Sequence, residues 1–511
     1  MNIDNLTVLI LSAGFGRRMG HFSRMINKGL IPYQDKPLLS HIIDKFPTTT
    51  KFVIACGYHG SQIKNYVSNV HHDKNIVFVD IPDFSEGNTG PATTVQYCRE
   101  HIKNGFMLIT CDTLFEFNWK DRLNHSWIGV YPVDSHLAKD YDWVERDGND
   151  IVHIHNKKPS VKAVDAFIGL LYDKDGQFLQ NLIDKKAKEN FQGFEGVDFK
   201  AETVYKWLDF GTYDKWKELA NELEENSFSK PNEIFYHDNS KVVKFFSDKS
   251  NARLRVKRAN ENSYCMPENI KAVDNFLIHD WVKGDIVYNQ YTPDLFRKML
   301  SWCENKLWIT QHFNKAESVC YDFYYKKTQS RLNQLKSKYS DWSEPITVNG
   351  LFVKSINDYI NDIDYNWLCT TTEWRFIHGD LHFDNMIYDE ATNKFTAIDW
   401  RTDFGGELYG DLYYDLAKLL GGLHLNYKEV KKNNFTYAEQ NNSSTIDYPS
   451  VDSLEEYVSI LKEWVLTNKL DWKKVETLVP LIYLNMSPLH DAPFDKFLVS
   501  LALLHFSKLG K

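Results

Sequence analysis

The sequence predicts an α/β domain followed by an α+β domain, and three observations carry that prediction. Through residues 1–225 short apolar runs alternate with helix-period stretches, the pattern of a parallel sheet with crossover helices. A polar, proline-bearing stretch, Asn226-Ser227-Phe228-Ser229-Lys230-Pro231-Asn232, then interrupts it. From Glu233 onward two β-like runs flank a basic segment, and mostly helical periodicity follows from Thr292. The expected organisation is a domain over 1–225, a linker over 226–232 and a domain over 233–511, the last split into a small lobe to about 290 and a large lobe beyond.

In the first domain the expected strands are Val8–Leu11, Phe52–Ala55, Ile76–Val79, Phe106–Thr110, Ile128–Val133 and Ala166–Leu171, with a closing helix from Tyr213 to Glu225. In the second, the Asn-, Lys- and Ser-rich segment 427–450 reads as a solvated loop between helices.

Composition narrows the function. A net charge of −9 and a pI near 6.1 argue against a nucleic-acid or membrane-surface footprint, so an anionic ligand must meet locally concentrated cations. The apolar run Leu6–Leu11 is too short for a signal segment, and no stretch approaches a membrane span. Seven scattered cysteines with no C-x-x-C spacing read as reduced thiols of a cytoplasmic protein.

The run Val8-Leu9-Ile10-Leu11-Ser12-Ala13-Gly14-Phe15-Gly16-Arg17-Arg18 is a buried strand emptying into a glycine-rich turn. Such a turn lets backbone N–H groups approach phosphate, and the arginines oppose its charge. A tight turn without ligand and a dinucleotide-binding loop are the alternatives; the latter expects glycine where Met19 stands. Lys28 and Lys36-Pro37 follow at spacings of ten and eight. With them the stretch resembles the sugar-1-phosphate nucleotidyltransferases, although Asn27 stands where that family has proline.

The resemblance implies a Rossmann-like domain with a mixed, mostly parallel sheet. It also implies roles: Leu11, Ala13, Gly14, Gly16, Gly90 and Ala92 at the nucleotide, Arg18 and Lys28 as catalytic cations on the triphosphate, and Lys158 at the acceptor phosphate. Asp112, ending an apolar strand, and Asp209, in Trp207-Leu208-Asp209-Phe210-Gly211-Thr212, would hold Mg²⁺. A strand-terminal aspartate that caps its turn, and a solvated lysine run at 157–158, remain the alternatives.

The second motif is His378-Gly379-Asp380-Leu381-His382-Phe383-Asp384-Asn385, followed fourteen residues beyond Asn385 by Asp399 in Ile398-Asp399-Trp400. An Asp and an Asn five apart share one loop, and a later strand-terminal carboxylate supplies a second metal donor. The constellation resembles the aminoglycoside/choline kinase-like phosphotransferases. It implies a protein-kinase-like α+β fold, Asp380 as catalytic residue, Asn385 and Asp399 as Mg²⁺ ligands, and a strand lysine, Lys244, for the ATP phosphates. His378 and the acids Asp411 and Asp415 read as structural.

Together the two halves imply a bifunctional enzyme that takes ATP, a second nucleoside triphosphate (CTP, UTP or GTP) and a small sugar, polyol or amino alcohol. The product would be an NDP-sugar or CDP-alcohol for surface polysaccharide or lipid decoration, and a homo-oligomer is compatible with this. The rival readings are a choline/ethanolamine kinase joined to a phosphocholine cytidylyltransferase, and a transferase joined to a non-catalytic kinase-like module.

Overall fold

The computed structural model describes residues 6–82, 90–103, 105–221, 232–238, 240–339, 346–370 and 373–509. The chain forms two compact units. The first comprises Met1–Glu225, Ser229–Ala252 and Ala272–Ile278, and the second includes Arg253–Lys271 and His279–Lys511.

The first unit is built on a nine-stranded sheet. Its strands are β1 (Thr7–Ser12), β2 (Lys51–Cys56), β3 (Asn75–Asp80), β4 (Phe106–Thr110), β5 (Trp127–Val133), β6 (Trp143–Asp147), β7 (Asp150–His155), β8 (Val164–Asp173) and β9 (Lys200–Thr203). In space they run β3-β2-β1-β4-β8-β5-β9-β7-β6. All six expected strands are present, each extended by no more than a residue or two at its ends. Val8 and Ile10 enter one core while Leu9 and Leu11 enter the other, so β1 is covered on both faces and its sequence is continuously apolar.

The sheet is mixed, but it is not mostly parallel. Parallel pairing joins β3, β2, β1 and β4, and again β5 and β9. Every other contact is antiparallel, because β8 returns against both β4 and β5 and the β6–β7 hairpin closes the far edge. β6 and β7 escaped notice because much of each strand faces solvent and carries charge, which removes the apolar run.

The expected boundary at 226–232 lies, apart from Asn232, outside the described residues. The strands that follow it depart from expectation, because Glu233–Asp238 and Lys241–Phe246 cluster with the first unit and not with the second. The cause is a set of buried anchors. Tyr236 donates its hydroxyl to the Leu30 carbonyl at 2.5 Å, and Asp238, fully buried, ion-pairs with Lys36 at 3.2 Å and accepts from Tyr66 at 3.1 Å. The lysine of the Lys36-Pro37 element is thus spent on Asp238 and Asp44.

The second unit is dominated by helices, with Leu412–His424, Trp472–Met486 and Phe494–Phe506 packed in series. A small sheet, Asp285–Ile286 with Met386–Asp389 and Lys394–Ala397, leads into the Ile398-Asp399 turn. Segment 427–450 is not a loop. It holds a short helix, Tyr427–Lys431, and a hairpin of Thr436–Gln440 with Ser443–Asp447, whose Ser444 and Ile446 are buried. Its turn residues Asn441 and Asn442 both have positive φ, 48° and 56°, the twist that two-residue hairpins require. Among the described residues no helix is long and apolar enough to cross a membrane.

Candidate active sites

In the first unit the glycine-rich turn and the Lys28 turn are tied together by Asn27. Its buried Oδ1 accepts from Ser12 Oγ and Gly29 N, each at 2.8 Å, while its Nδ2 donates to the carbonyls of Ser12 at 2.9 Å and Tyr58 at 2.7 Å. A proline could make none of these side-chain bonds. Gly16 has φ +62°, and a Cβ there would stand 3.3 Å from the Lys28 stem. The glycine thereby lets Lys28 lie across the turn.

The Lys28 ammonium reaches Asp112 Oδ2 at 2.5 Å and the Gly211 carbonyl at 3.2 Å. Burial alone would raise the Asp112 carboxyl, but the charge of Lys28 holds it below the usual carboxylate range. Asp209 arrives on a two-stranded ladder, Lys206–Asp209 against Thr113–Glu116, in which it lies opposite Thr113. The Phe210 N–H donates to the Asp112 carbonyl at 2.9 Å, so the two aspartates end up side by side.

Asp209 is itself held on both oxygens. Oδ1 accepts from Gly211 N at 2.7 Å, and Oδ2 accepts from Tyr141 Oη at 2.6 Å and pairs with Lys215 at 2.5 Å. The sequence reading missed Tyr141 and Lys215. Lys215 opens the helix just after the Gly-Thr of the late motif, a signal that spacing offered; Tyr141 lies far off in sequence and offered none. Arg18 is exposed and its charge acts on Tyr141, which puts it beside this cluster.

Other expected residues fall differently. Leu11, Ala13 and Ala92 share one buried cluster, in which Ala92 is fully covered and donates its backbone N–H to the Lys188 carbonyl at 3.3 Å. Gly14 faces open space, and Gly90 approaches the Lys188 carbonyl so closely that a Cβ would lie 2.1 Å from it. The turn residues 87–89 lie outside the described residues. Lys158 is exposed, its carbonyl accepting from Trp143 Nε1 at 2.9 Å, and no described bond joins its side chain to either aspartate. Lys244 stands on strand Lys241–Phe246 with its ammonium 5.7 Å from the ring centre of its cross-strand neighbour Phe235.

In the second unit the loop from His378 to Asn385 is clamped from behind. Asp415, fully buried in helix Leu412–His424, accepts from the backbone N–H groups of His378 and Gly379, both at 2.7 Å, and from Trp308 Nε1 at 3.0 Å. Buried Arg258 donates to the carbonyls of Ile377, His378, Arg401 and Leu408. His378 Nε2 lies 2.7 Å from the Ile398 carbonyl and Nδ1 3.2 Å from the Asp380 N–H, which fixes it as the Nε2–H tautomer. Burial pushes its imidazole down to about 3, so it is neutral and structural.

Asp380 Oδ1 is 2.6 Å from Lys418, a lysine buried on the same helix as Asp415. Burial would raise the Asp380 carboxyl, yet the charge of Lys418 holds it far below the usual range. Asn385 spends its amide N–H groups on the Asp380 carbonyl at 2.8 Å and on His382 Nε2 at 3.1 Å, leaving its carbonyl oxygen for a cation. The hairpin Met386–Asp389/Lys394–Ala397 and the bond from Ile398 N to Asn385 O, 2.9 Å, bring Asn385 and the Ile398-Asp399 turn together. Asp399 has φ +61°. Asp411 caps its helix and accepts from Tyr324 at 2.8 Å, a structural role.

Both donor sets have the chemistry that suits a hard divalent cation: carboxylates on two neighbouring backbone segments in the first site, and a carboxylate and an amide oxygen on two neighbouring segments in the second. In the first, Lys28 and Lys215 already supply the positive charge that such a cation would share.

Residues 8–129 match the family model of the MobA-like NTP transferase domain, and residues 346–442 match that of the phosphotransferase enzyme family. The chain carries both domains. Curated relatives of the transferase part include the bifunctional protein GlmU of Methanococcus vannielii, 27% identical over 132 residues that make up 25% of this chain and 30% of that protein. Another is GlmU of Methanococcus maripaludis strain C5, 23% identical over 191 residues, 36% of this chain and 44% of that protein. The chain thus spans less than half the length of the curated relatives it matches.

Among solved structures, UDP-glucose pyrophosphorylase complexed with UDP-glucose aligns at 15% identity and TM-score 0.37, covering 43% of this chain and 98% of that one. HddC from Yersinia pseudotuberculosis aligns at 16% identity and TM-score 0.35, covering 43% and 99%. The transferase match contains Lys28 and Asp112, and the phosphotransferase match contains Asp380, Asn385, Asp399 and Lys418.

Two predictions follow from this geometry. Asn27→Ala strands buried partners of both turns of the transferase domain and is expected to cost about 2–4 kcal/mol in denaturant unfolding; a loss below about 1 kcal/mol contradicts the bracket. Lys418→Met removes the charge that keeps Asp380 ionised. Phosphotransferase rates are then expected to fall at least tenfold and to fall further from pH 8 to pH 6, because the freed carboxyl titrates upward; a pH profile unchanged from the wild type refutes this.

Proposed function

We propose that the chain phosphorylates a hydroxyl of a small molecule with ATP and then joins the phosphorylated product to a nucleotide. Pyrophosphate is released, and an NDP-sugar or CDP-alcohol for surface glycan or lipid synthesis is the product. The observation that carries this reading is shared by both domains. Each presents a catalytic-loop or strand-end carboxylate held ionised by a lysine, Asp380 by Lys418 and Asp112 by Lys28.

In the phosphotransferase domain Asp380 orients the acceptor hydroxyl. Its oxygen forms the new bond to the γ-phosphorus, the bond to the β–γ bridging oxygen breaks, and ADP leaves. With so low a basicity Asp380 accepts the hydroxyl proton late, when the P–O bond is already formed. Asn385 and Asp399 would hold Mg²⁺.

In the transferase domain a phosphate oxygen of the product attacks the α-phosphorus of the second triphosphate, and the bond to pyrophosphate breaks. No general base is needed, because the attacking phosphate is already anionic. Lys28 and Arg18 steady the triphosphate, Lys215 and Tyr141 fix Asp209, and Asp112 with Asp209 would hold Mg²⁺. In both domains the metal ion would neutralise phosphate charge as it shifts onto the leaving group.

The half-reactions separate by mutation. Asp380→Asn is expected to lower ADP formation at least a hundredfold while pyrophosphate release from a supplied phosphorylated acceptor continues, and Asp112→Asn is expected to do the reverse. If either variant abolished both reactions, or neither, the assignment of one chemistry to each domain would fail.

A further inference from the structure

Beside the loop that carries Asp380 the second unit gathers cations that no described ion pair offsets. Arg401, two residues past Asp399, donates its backbone N–H to the His378 carbonyl at 3.1 Å. Its stem lies against Gly379, whose φ is +83° and where a Cβ would stand 2.7 Å from Arg401 Cδ. The glycine next to Asp380 is therefore what lets this arginine run alongside the catalytic loop.

The Arg401 guanidinium and the Lys327 ammonium lie 5.4 Å and 3.8 Å from the centre of the same buried ring, Phe323. Arg331 stands one helical turn beyond Lys327 on Lys327–Lys338. Like charges four apart on a helix repel, so the arrangement costs stability.

The neighbouring acids do not offset it. Lys326 pairs with Asp322 at 2.6 Å, but among the described residues no carboxylate lies within ion-pair distance of Lys327, Arg331 or Arg401. Asp403 is turned into its own bend, accepting from Thr402 Oγ1 and Gly406 N, each at 2.9 Å. Burial, together with Arg401, Arg331 and Lys418, pushes the Lys327 ammonium down to about 6. Helix Lys327–Lys338 packs on Trp472–Met486, in the helical part of the unit.

We infer that the acceptor of the phosphotransferase domain is itself an anion, a hydroxyl compound bearing a carboxylate or phosphate group, and that Lys327, Arg331 and Arg401 hold that group while its hydroxyl meets Asp380. The inference rests on the phosphotransfer reading above and names its substrate class. An anionic acceptor must approach an anionic γ-phosphate, and cations that move with neither reactant lower that repulsion. A quaternary ammonium or polyamine acceptor would instead be repelled by the Arg331 and Arg401 guanidinium charges.

The full chain with ATP and Mg²⁺ is assayed for ADP formation with small hydroxyl acceptors that differ in charge: D-glycerate, glycerol 3-phosphate, glycerol and ethanolamine, then gluconate, glucose and glucosamine. The acidic members are expected to show kcat/KM at least tenfold above the neutral ones, with the amines lowest; glycerate against glycerol 3-phosphate tells carboxylate from phosphate. Lys327→Met and Arg331→Gln are each expected to raise the acceptor KM at least fivefold with the KM for ATP within twofold, and Lys327→Arg to restore most of the loss. Arg401→Gln should act alike, and because it also packs on Gly379 the two helix variants carry the test if it does not fold. Preference for neutral or amine acceptors, or a rise in the KM for ATP instead, overturns the inference while the phosphotransfer reading stands. Phosphorylation of none of them removes the phosphotransfer reading and this inference with it.

Discussion

A carboxylate kept charged by a lysine is the constraint on which both halves of this chain depend. An aspartate drawn out of water tends to take up a proton and so lose both its metal affinity and its hold on a hydroxyl. Lys28 prevents this at Asp112 and Lys418 at Asp380, while Lys215 pairs with Asp209. Each lysine is placed by a different device: a glycine turn, the first turn of a helix, and the middle of a buried helix.

The scaffolding around these pairs consists largely of side chains bonded to backbone. Asn27 closes the glycine turn on the Lys28 turn, and Asp415 and Arg258 hold opposite backbone groups of the loop around His378, N–H groups and carbonyls respectively. Such bonds fix a loop without depending on its own sequence. They explain how His378 can be neutral and buried and still shape the loop, since its two ring nitrogens serve the Ile398 carbonyl and the Asp380 N–H.

Much of this was legible in the sequence, for physical reasons that differ from element to element. The buried strands show as apolar runs because both faces of the sheet are covered, and Asp380, Asn385 and Asp399 stand at spacings that one loop and one hairpin dictate. The β6–β7 hairpin and the hairpin at 436–447 lack such runs, since one face of each meets solvent; Asn441-Asn442 was the remaining turn signal. The partners Tyr141, Lys215 and Lys418 reach their aspartates only through the tertiary fold. The grouping of Glu233–Phe246 with the first unit depends on Tyr236 and Asp238 meeting Leu30, Lys36 and Tyr66, contacts that no local pattern announces.

In the proposed reaction one phosphorus atom passes through both domains, and isotope transfer tests that most directly. The full chain is given [γ-³²P]ATP, an unlabelled second triphosphate, Mg²⁺ and an acceptor, and the products are separated. The label is predicted to appear first in the phosphorylated acceptor and then in the nucleoside diphosphate conjugate, at the phosphorus bonded to the acceptor, with the released pyrophosphate unlabelled. Label that stays in the phosphorylated acceptor while no conjugate forms with any triphosphate, or that enters pyrophosphate, would contradict it.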